Sequence, residues 1–213
     1  MEWFQLLALG GFYALFIGRS VYLHRRGERV FVIGRGKRGA RALLEMVFMA
    51  GLVVWSGEIV ARCLGSDVSL FPAVLREPFF DSRVADVLGG GAIIGGLLVF
   101  AAALHVFGRS WRIGIDHDRP GQLVTQGIFR FTRNPIFLFM DLYFTGTWLI
   151  QRDLFFLLFA IVTVGGIHFQ ILQEEQFLLK HYGNAYRRYL LSVPRYIGGP
   201  WQREKAVQPH APS

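Results

Sequence analysis

The 213-residue chain is 53% hydrophobic and only 18% charged, yet it carries a formal net charge of +8 and a mean hydropathy of +0.37. Soluble domains carry about 25% charged residues, so the composition excludes an ordinary soluble domain and points to a membrane protein with basic loops. Twenty Phe and five Trp exclude disorder, the single Cys63 excludes a disulfide scaffold, and aromatics placed inside apolar runs rather than among Lys and Arg exclude a nucleic-acid partner.

A spanning helix needs about 20 mostly apolar residues, and five runs are predicted to span: 3–23, 42–64, 85–107, 135–150 and 154–172. The first lacks the basic n-region and small-residue cleavage site of a signal peptide, so a retained helix is expected. Of the 23 Lys and Arg, 19 fall at Arg19, in 24–41, in 108–134 or after 172, and only Arg62, Arg76, Arg83 and Arg152 fall elsewhere. Because cytosolic loops carry the Lys/Arg excess, five spans with this alternation put the N-terminus outside and the C-terminus in the cytosol. The same bias accounts for the loop His24–Arg41, with seven Lys/Arg against one Glu, without a separate headgroup site.

Between the second and third runs, residues 65–84 hold Pro72, Pro78, Leu70-Phe71 and Phe79-Phe80 and are expected along the outer interface. Gly89-Gly90-Gly91 and Gly95-Gly96 offer a GxxxG spacing for close helix approach within the bundle. Arg41 and Arg62 stand four residues from Glu45 and Glu58, which predicts helix-face pairs.

The fourth run, 16 residues, reaches about 24 Å against a hydrocarbon core of about 30 Å. Its start, Arg133-Asn134-Pro135, is therefore expected below the cytosolic surface, with Asn134 as N-cap, Pro135 at the first helical position and free N–H groups aimed at a cavity that suits a carboxylate. Gln151-Arg152-Asp153 turn the chain into the fifth run, making a helix hairpin. The fifth helix continues past the membrane to Gly183, a C-terminal glycine, and Asn184 caps a short helix with Tyr186, Arg187, Arg188 and Tyr189 that Pro194 stops and that folds back as a lid. Residues 198–213 are expected as a tail. The predicted fold is an all-α integral membrane protein of five transmembrane helices with a hairpin of the last two and a cytosolic C-terminal helical lid. It divides into a three-helix region 1–107, a catalytic region 108–197 and the tail.

Asp141 lies seven residues after Asn134, and His168 seven before Glu175, so each pair shares a helix face across the hairpin. The two either line an acceptor path within the membrane or hydrogen-bond as structural glue. Asp116-His117-Asp118 has metal-ligand residue types, but adjacent residues rarely face one ion, and no metal site is expected.

The segment Gly121-Gln-Leu-Val-Thr-Gln-Gly-Ile-Phe-Arg-Phe-Thr-Arg-Asn-Pro-Ile-Phe-Leu138, followed by Glu174-Glu175-Gln-Phe-Leu178, Tyr182-Gly183, Tyr186, Tyr189 and Val193-Pro194-Arg195, resembles the isoprenylcysteine carboxyl methyltransferase and phospholipid methyltransferase superfamily. The resemblance covers residues 108–197 and implies a membrane-integral methyltransferase that uses S-adenosylmethionine at the cytosolic face. It implies cofactor contacts at Gly121, Gln122, Leu123, Val124, Phe129, Asn134, Pro135, Ile136, Phe137 and Glu174, with Asn134 and Glu175 nearest to catalysis. Glu174 would accept from the cofactor's ammonium and the helix start would donate to its carboxylate. Arg133, Asp141, His168 and Gln170 would meet the acceptor, a lipophilic or small carboxyl, thiol, amine or hydroxyl compound.

The sequence departs from the family pattern at Asn134, where His is usual, at Phe129 and Phe137, where Tyr is usual, and at Gln170, where the carboxyl methyltransferases place an Arg. Asn134 cannot serve as a general base, and the missing cation argues against isoprenylcysteine as acceptor. Two other readings are a sterol-reductase-like NADPH-dependent oxidoreductase, whose pattern lacks the Glu174-Glu175 pair, and a non-catalytic membrane adaptor. The expected partners are membrane lipids and the acceptor, the expected state a monomer or weak homodimer, and the compact chain points to a prokaryotic inner membrane.

Overall fold

A computed structural model describes residues 1–27, 40–65, 69, 71–108 and 123–197, with 40–45 as backbone. Six α-helices form among these residues, and no strand: α1 (Glu2–Arg25), α2 (Ala40–Cys63), α3 (Arg83–Phe107), α4 (Pro135–Gln151), α5 (Leu154–Tyr182) and α6 (Asn184–Ser192). The proposed tail, the Asp116–Asp118 loop, Leu70, most of the basic loop and the Glu45 side chain lie outside the described residues.

Four helices, α1, α2 from Met46, α3 and α5, are long and apolar enough to cross a membrane. The fourth predicted run forms α4, whose 17 residues reach about 25 Å. The boundaries have local causes. The Ser82 side chain accepts the Ala85 N–H at 3.2 Å to start α3, and the Asp153 carboxylate accepts the Phe156 N–H at 2.9 Å to start α5. Arg152, left-handed at φ 57°, makes the turn between α4 and α5. Gly183 (φ 54°) ends α5 and itself occupies the N-cap position of α6, so that Asn184 is the first helical residue rather than the cap.

The central element is α4. Phe139 stacks on Phe100 of α3 at 4.5 Å and meets Phe12 of α1 at 5.5 Å, Tyr143 meets Trp55 of α2 at 5.4 Å, and Phe144 meets Phe159 of α5 at 5.3 Å. An apolar cavity of about 20 Å³ lies among these rings, room for one water and no cofactor.

The close seam is between antiparallel α3 and α4. A Cβ added to Gly89 would lie 2.6 Å from the Gly146 carbonyl, and one on Gly146 would lie 2.7 Å from the Gly89 carbonyl. Two turns on, Gly96 faces the Phe139 carbonyl at 3.2 Å. The small-residue stripe thus runs through Gly89 and Gly96. Gly91 and Gly95, the pair that gives the GxxxG spacing, meet nothing within 4 Å, and Gly90 faces Met1 and Phe4 of α1.

At the end of the bundle opposite α6, Arg62 forms an ion pair with the fully buried Asp153, donates to Gln151 Oε1 at 3.0 Å and lies over the Phe156 ring at 4.9 Å. Glu58 accepts from Ser69 Oγ at 2.8 Å. Arg152 pairs with Asp86 at 2.5 Å, and its carbonyl accepts the Phe79 N–H at 2.9 Å. The 71–82 segment therefore packs on the α4–α5 turn, with Phe71 on Phe155 at 4.5 Å.

Two outcomes follow for stability in detergent. Gly146→Ala is expected to cost about 1–3 kcal/mol, because a methyl must displace backbone rather than a flexible side chain, whereas Gly91→Ala should be silent; thermal unfolding of the two purified variants decides this. Asp153→Ala removes a helix cap and leaves Arg62 buried without its counter-charge, a loss of about 3–5 kcal/mol, and Arg62→Met in the same chain should recover part of it.

Candidate functional site

At the α6 end of the bundle the chain from Leu123 builds a second, smaller core. Gly127, at φ 59°, starts a 3₁₀ turn (Gly127–Arg130) pressed so closely on α3 that a Cβ there would sit 2.4 Å from Val106 Cγ2. The turn buries Phe129 edge-on against Phe107 at 4.8 Å, and the Tyr189 hydroxyl donates to the Phe129 carbonyl at 2.7 Å. Leu123, Val124, Leu178, Leu179 and Val193 complete this layer. Phe129, Leu123 and Val124, three of the residues matched to cofactor contacts, therefore share one apolar wall with α6. Gly121 and Gln122 lie outside the described residues.

The start of α4 is joined to the segment that follows α6. Arg133 N–H donates to the Pro194 carbonyl at 3.0 Å, and Thr132 Oγ1 and Asn134 Nδ2 both donate to the Arg195 carbonyl at 3.1 Å. Asn134 occupies the N-cap position with Pro135 next, as the sequence predicts, but its side chain makes no capping bond. Asn134 is instead an anchor for residues 194–195, and the N–H groups of Ile136 and Phe137 are left without a side-chain cap.

One carboxylate ties these pieces together. Glu175 of α5, buried, accepts from Arg195 through Nε at 3.1 Å and Nη2 at 2.7 Å, and pairs with Arg133 Nη2 at 3.0 Å. Arg133 is itself buried, and its Nε and Nη1 have no partner among the described residues. The carboxylate that Arg195 hydrogen-bonds raises the guanidinium's already high affinity for its proton. Burial, then the nearby Glu175 charge, push the Tyr186 phenol up to about 12, so it stays neutral beside the clamp. Glu174 is half-buried next to Glu175.

Further along the helices, Tyr196 reaches His168 of α5. His168 Nδ1 lies 3.0 Å from the Tyr196 hydroxyl, with the rings near-parallel at 6.2 Å. Burial, then the Asp141 charge, push the Tyr196 phenol up. Asp141 Oδ1 is buried with no hydrogen-bond partner among the described residues. His168 is thus bound to the segment after α6 through Tyr196, Asp141 acts on Tyr196 through its charge alone, and Gln170 is exposed on α5.

In the sequence Arg195 stands in a motif without a role of its own, and Tyr196 and Thr132 are not singled out. Nothing local announces them, because their partners are 20 to 63 residues away.

Residues 84–185, a little under half of the chain, match the phospholipid methyltransferase family. The match begins at the start of α3, runs through α4 and α5 and stops in α6, short of residues 193–196. Among curated proteins, no match is found. Together with four helices long and apolar enough to cross a membrane, the match points to a membrane protein in which residues 84–185 are similar to the phospholipid methyltransferase family.

Glu175→Ala is expected to free the 193–196 segment and to leave Arg133 as an uncompensated buried charge, costing about 3–5 kcal/mol. Hydrogen exchange should then rise selectively in α6 and residues 193–196, with the α3–α4 seam still protected.

Proposed function

We propose, from the family match over residues 84–185, that the chain is an S-adenosylmethionine-dependent methyltransferase acting at the cytosolic membrane face on a lipophilic or small acceptor. In this reading α4 is a fifth crossing enclosed by the other four, the N-terminus is outside and the C-terminus cytosolic, α4 and α5 form the hairpin, and α6 with residues 193–196 is the lid. A monomer or weak homodimer in a prokaryotic inner membrane is part of the same proposal.

The observation that carries it is a convergence of donors within the matched segment: an uncapped helix start at Ile136 and Phe137, beside a buried Arg133 that keeps two N–H groups unpartnered. Buried donors without partners cost about 1–3 kcal/mol each, and a bound carboxylate relieves that cost at a helix N-terminus. The residues present therefore fit the amino-acid end of the cofactor, with Glu174 accepting from its ammonium. Leu123, Val124, Phe129 and Phe137 supply apolar surface for the adenosine.

When bound, S-adenosylmethionine supplies a methyl group already activated on sulfur. The chain's own work is then placement and exclusion of water. Asn134 and Glu175 do this work indirectly: Asn134 holds the Arg195 carbonyl and Glu175 holds both arginines. They are proposed as positioning residues.

The test is a titration of the purified full-length protein with S-adenosylhomocysteine and, separately, with NADPH. Micromolar binding of the nucleoside is expected, weakened at least tenfold in Glu174→Ala. NADPH binding alone would favour a reductase, and binding of neither an adaptor.

A further inference from the structure

Two segments at the α6 end of the bundle expose large apolar side chains although they belong to no membrane-length helix. Phe131, just after the 3₁₀ turn, is 68% exposed, Leu191 near the end of α6 is 51% exposed, and Ile197 is 75% exposed. The first and last of these stand close together. Arg133 N–H donates to the Pro194 carbonyl and Thr132 Oγ1 to the Arg195 carbonyl, so the two segments pass each other in opposite chain senses, and Phe131 and Ile197 continue the pairing at its open end.

Their level is set by α3. This 25-residue helix reaches about 37 Å against a hydrocarbon core of about 30 Å, which places its last turn in the headgroup layer. The 3₁₀ turn packs on that last turn, with Gly127 against Val106 and Phe129 edge-on to Phe107 at 4.8 Å. Phe131 follows directly, at the depth where apolar side chains enter the acyl boundary.

The charge on these segments has one sign. Residues 123–137 and 183–197 hold five arginines and no Asp or Glu. Glu175 engages Arg133 and Arg195. Arg130, Arg187 and Arg188 are exposed, without an ion-pair partner among the described residues. On α6, Tyr186 and Tyr189 are buried, which leaves Arg187, Arg188 and Leu191 on the outer side. Apolar anchors beside arginines suit an anionic lipid surface, whereas two copies of this surface would bring like charges together.

We propose that Phe131, Leu191 and Ile197, with Arg130, Arg187 and Arg188, form a docking surface for an anionic lipid bilayer, the one the helices cross. The apolar side chains insert at the acyl boundary and the guanidiniums pair with lipid phosphates. Residues 194–195 lie between this surface and the start of α4 and carry the bond from Arg195 to Glu175. Lipid charge therefore sets how tightly this end of the bundle is closed. The inference does not depend on methyl transfer.

Cys63→Ser removes the native thiol and leaves a hydroxyl able to donate to the Glu2 carbonyl, so a single nitroxide label can be placed elsewhere. Full-length protein carrying Cys63→Ser with Phe131→Cys, Ile197→Cys or Asn184→Cys is labelled and placed in nanodiscs of phosphatidylcholine alone or mixed with phosphatidylglycerol. Collision with oxygen, which concentrates in the bilayer, is compared with collision with a nickel chelate, which stays in water. Oxygen should dominate at 131 and 197, and the chelate at Asn184, an exposed residue at the far end of α6. Hydrogen exchange on the unlabelled chain is the second readout. Exchange in residues 186–197 should be at least about fivefold slower in the phosphatidylglycerol discs, the weight of one arginine near an anionic surface. The difference should vanish in the Arg187→Gln, Arg188→Gln double variant and in high salt, with α3 and α4 exchanging as before.

Chelate contact for the labels at 131 and 197 equal to that at 184 overturns the proposal, as does equal exchange in the two lipid mixtures. Dipolar broadening between labels on two molecules would assign the surface to a second copy, and also overturns it.

Discussion

The shortness of α4 is the constraint on which the rest of the structure depends. Seventeen residues reach about 25 Å, while its neighbours α3 and α5, of 25 and 29 residues, reach about 37 and 43 Å. A helix enclosed by longer ones leaves its first turn below their ends, where unsatisfied backbone groups are expensive. Residues 132–134 just before it are tied to 194–195 by three hydrogen bonds, which fix the position of the helix start but leave the Ile136 and Phe137 N–H groups uncapped. Pro135 removes one donor from that turn at no cost. The recess that results is where the proposed chemistry is placed, so the position of the site follows from a length mismatch.

The two ends of the α4–α5 pair are fastened by different charge arrangements. At the turn, Arg62 and Arg152 are each paired with an aspartate, Asp153 and Asp86. These are two of the four arginines that depart from the bias of Lys and Arg to one side. These two departures are thus charges neutralised by a carboxylate held on a neighbouring element, which lowers what it costs to have an arginine there. At the other end, one carboxylate holds two arginines, and the geometry is bidentate only toward Arg195. Arg133 keeps spare donors because Glu175 gives it one contact. An arrangement built only for stability would have used them.

Much of the fold was legible in the sequence because it is written in local terms. Apolar runs marked α1 to α5 to within a few residues, except that α5 continues ten residues past its run, as the pattern to Gly183 predicts. Asp153 and Gly183 sit where a cap and a left-handed residue are needed. The seam was misread in detail: GxxxG selects a spacing of four, whereas antiparallel α3 and α4 meet at Gly89 and Gly96, seven apart, and periodicity cannot say which of several adjacent glycines faces the partner. The site was legible in its helices and illegible in its closure. Thr132, Arg195 and Tyr196 act through partners far along the chain, and a short polar segment after α6 carries no periodic signal that would position it.

The placement of Gln170 and Asp141 also bears on what the proposed site can accept. Near the start of α4 one carboxylate, Glu175, meets two guanidiniums, Arg133 and Arg195, and the remaining positive charge is the one that the proposed cofactor's carboxylate would take up, which leaves little for a second anion. Asp141 adds a negative charge further along the same face. Two like charges about 5 Å apart repel by about 3 kcal/mol at an effective dielectric of about 20, a factor of more than 100 against a carboxylate approaching ionised Asp141. The same interaction favours a cation or a hydrogen-bond donor by a similar margin. Restoring an arginine at position 170 would place its charge on the exposed face of α5, within a turn of His168 and Glu174 and away from Asp141. On these grounds a carboxylate acceptor is disfavoured wherever it would have to approach ionised Asp141, and the residue at position 170 does nothing to offset that charge.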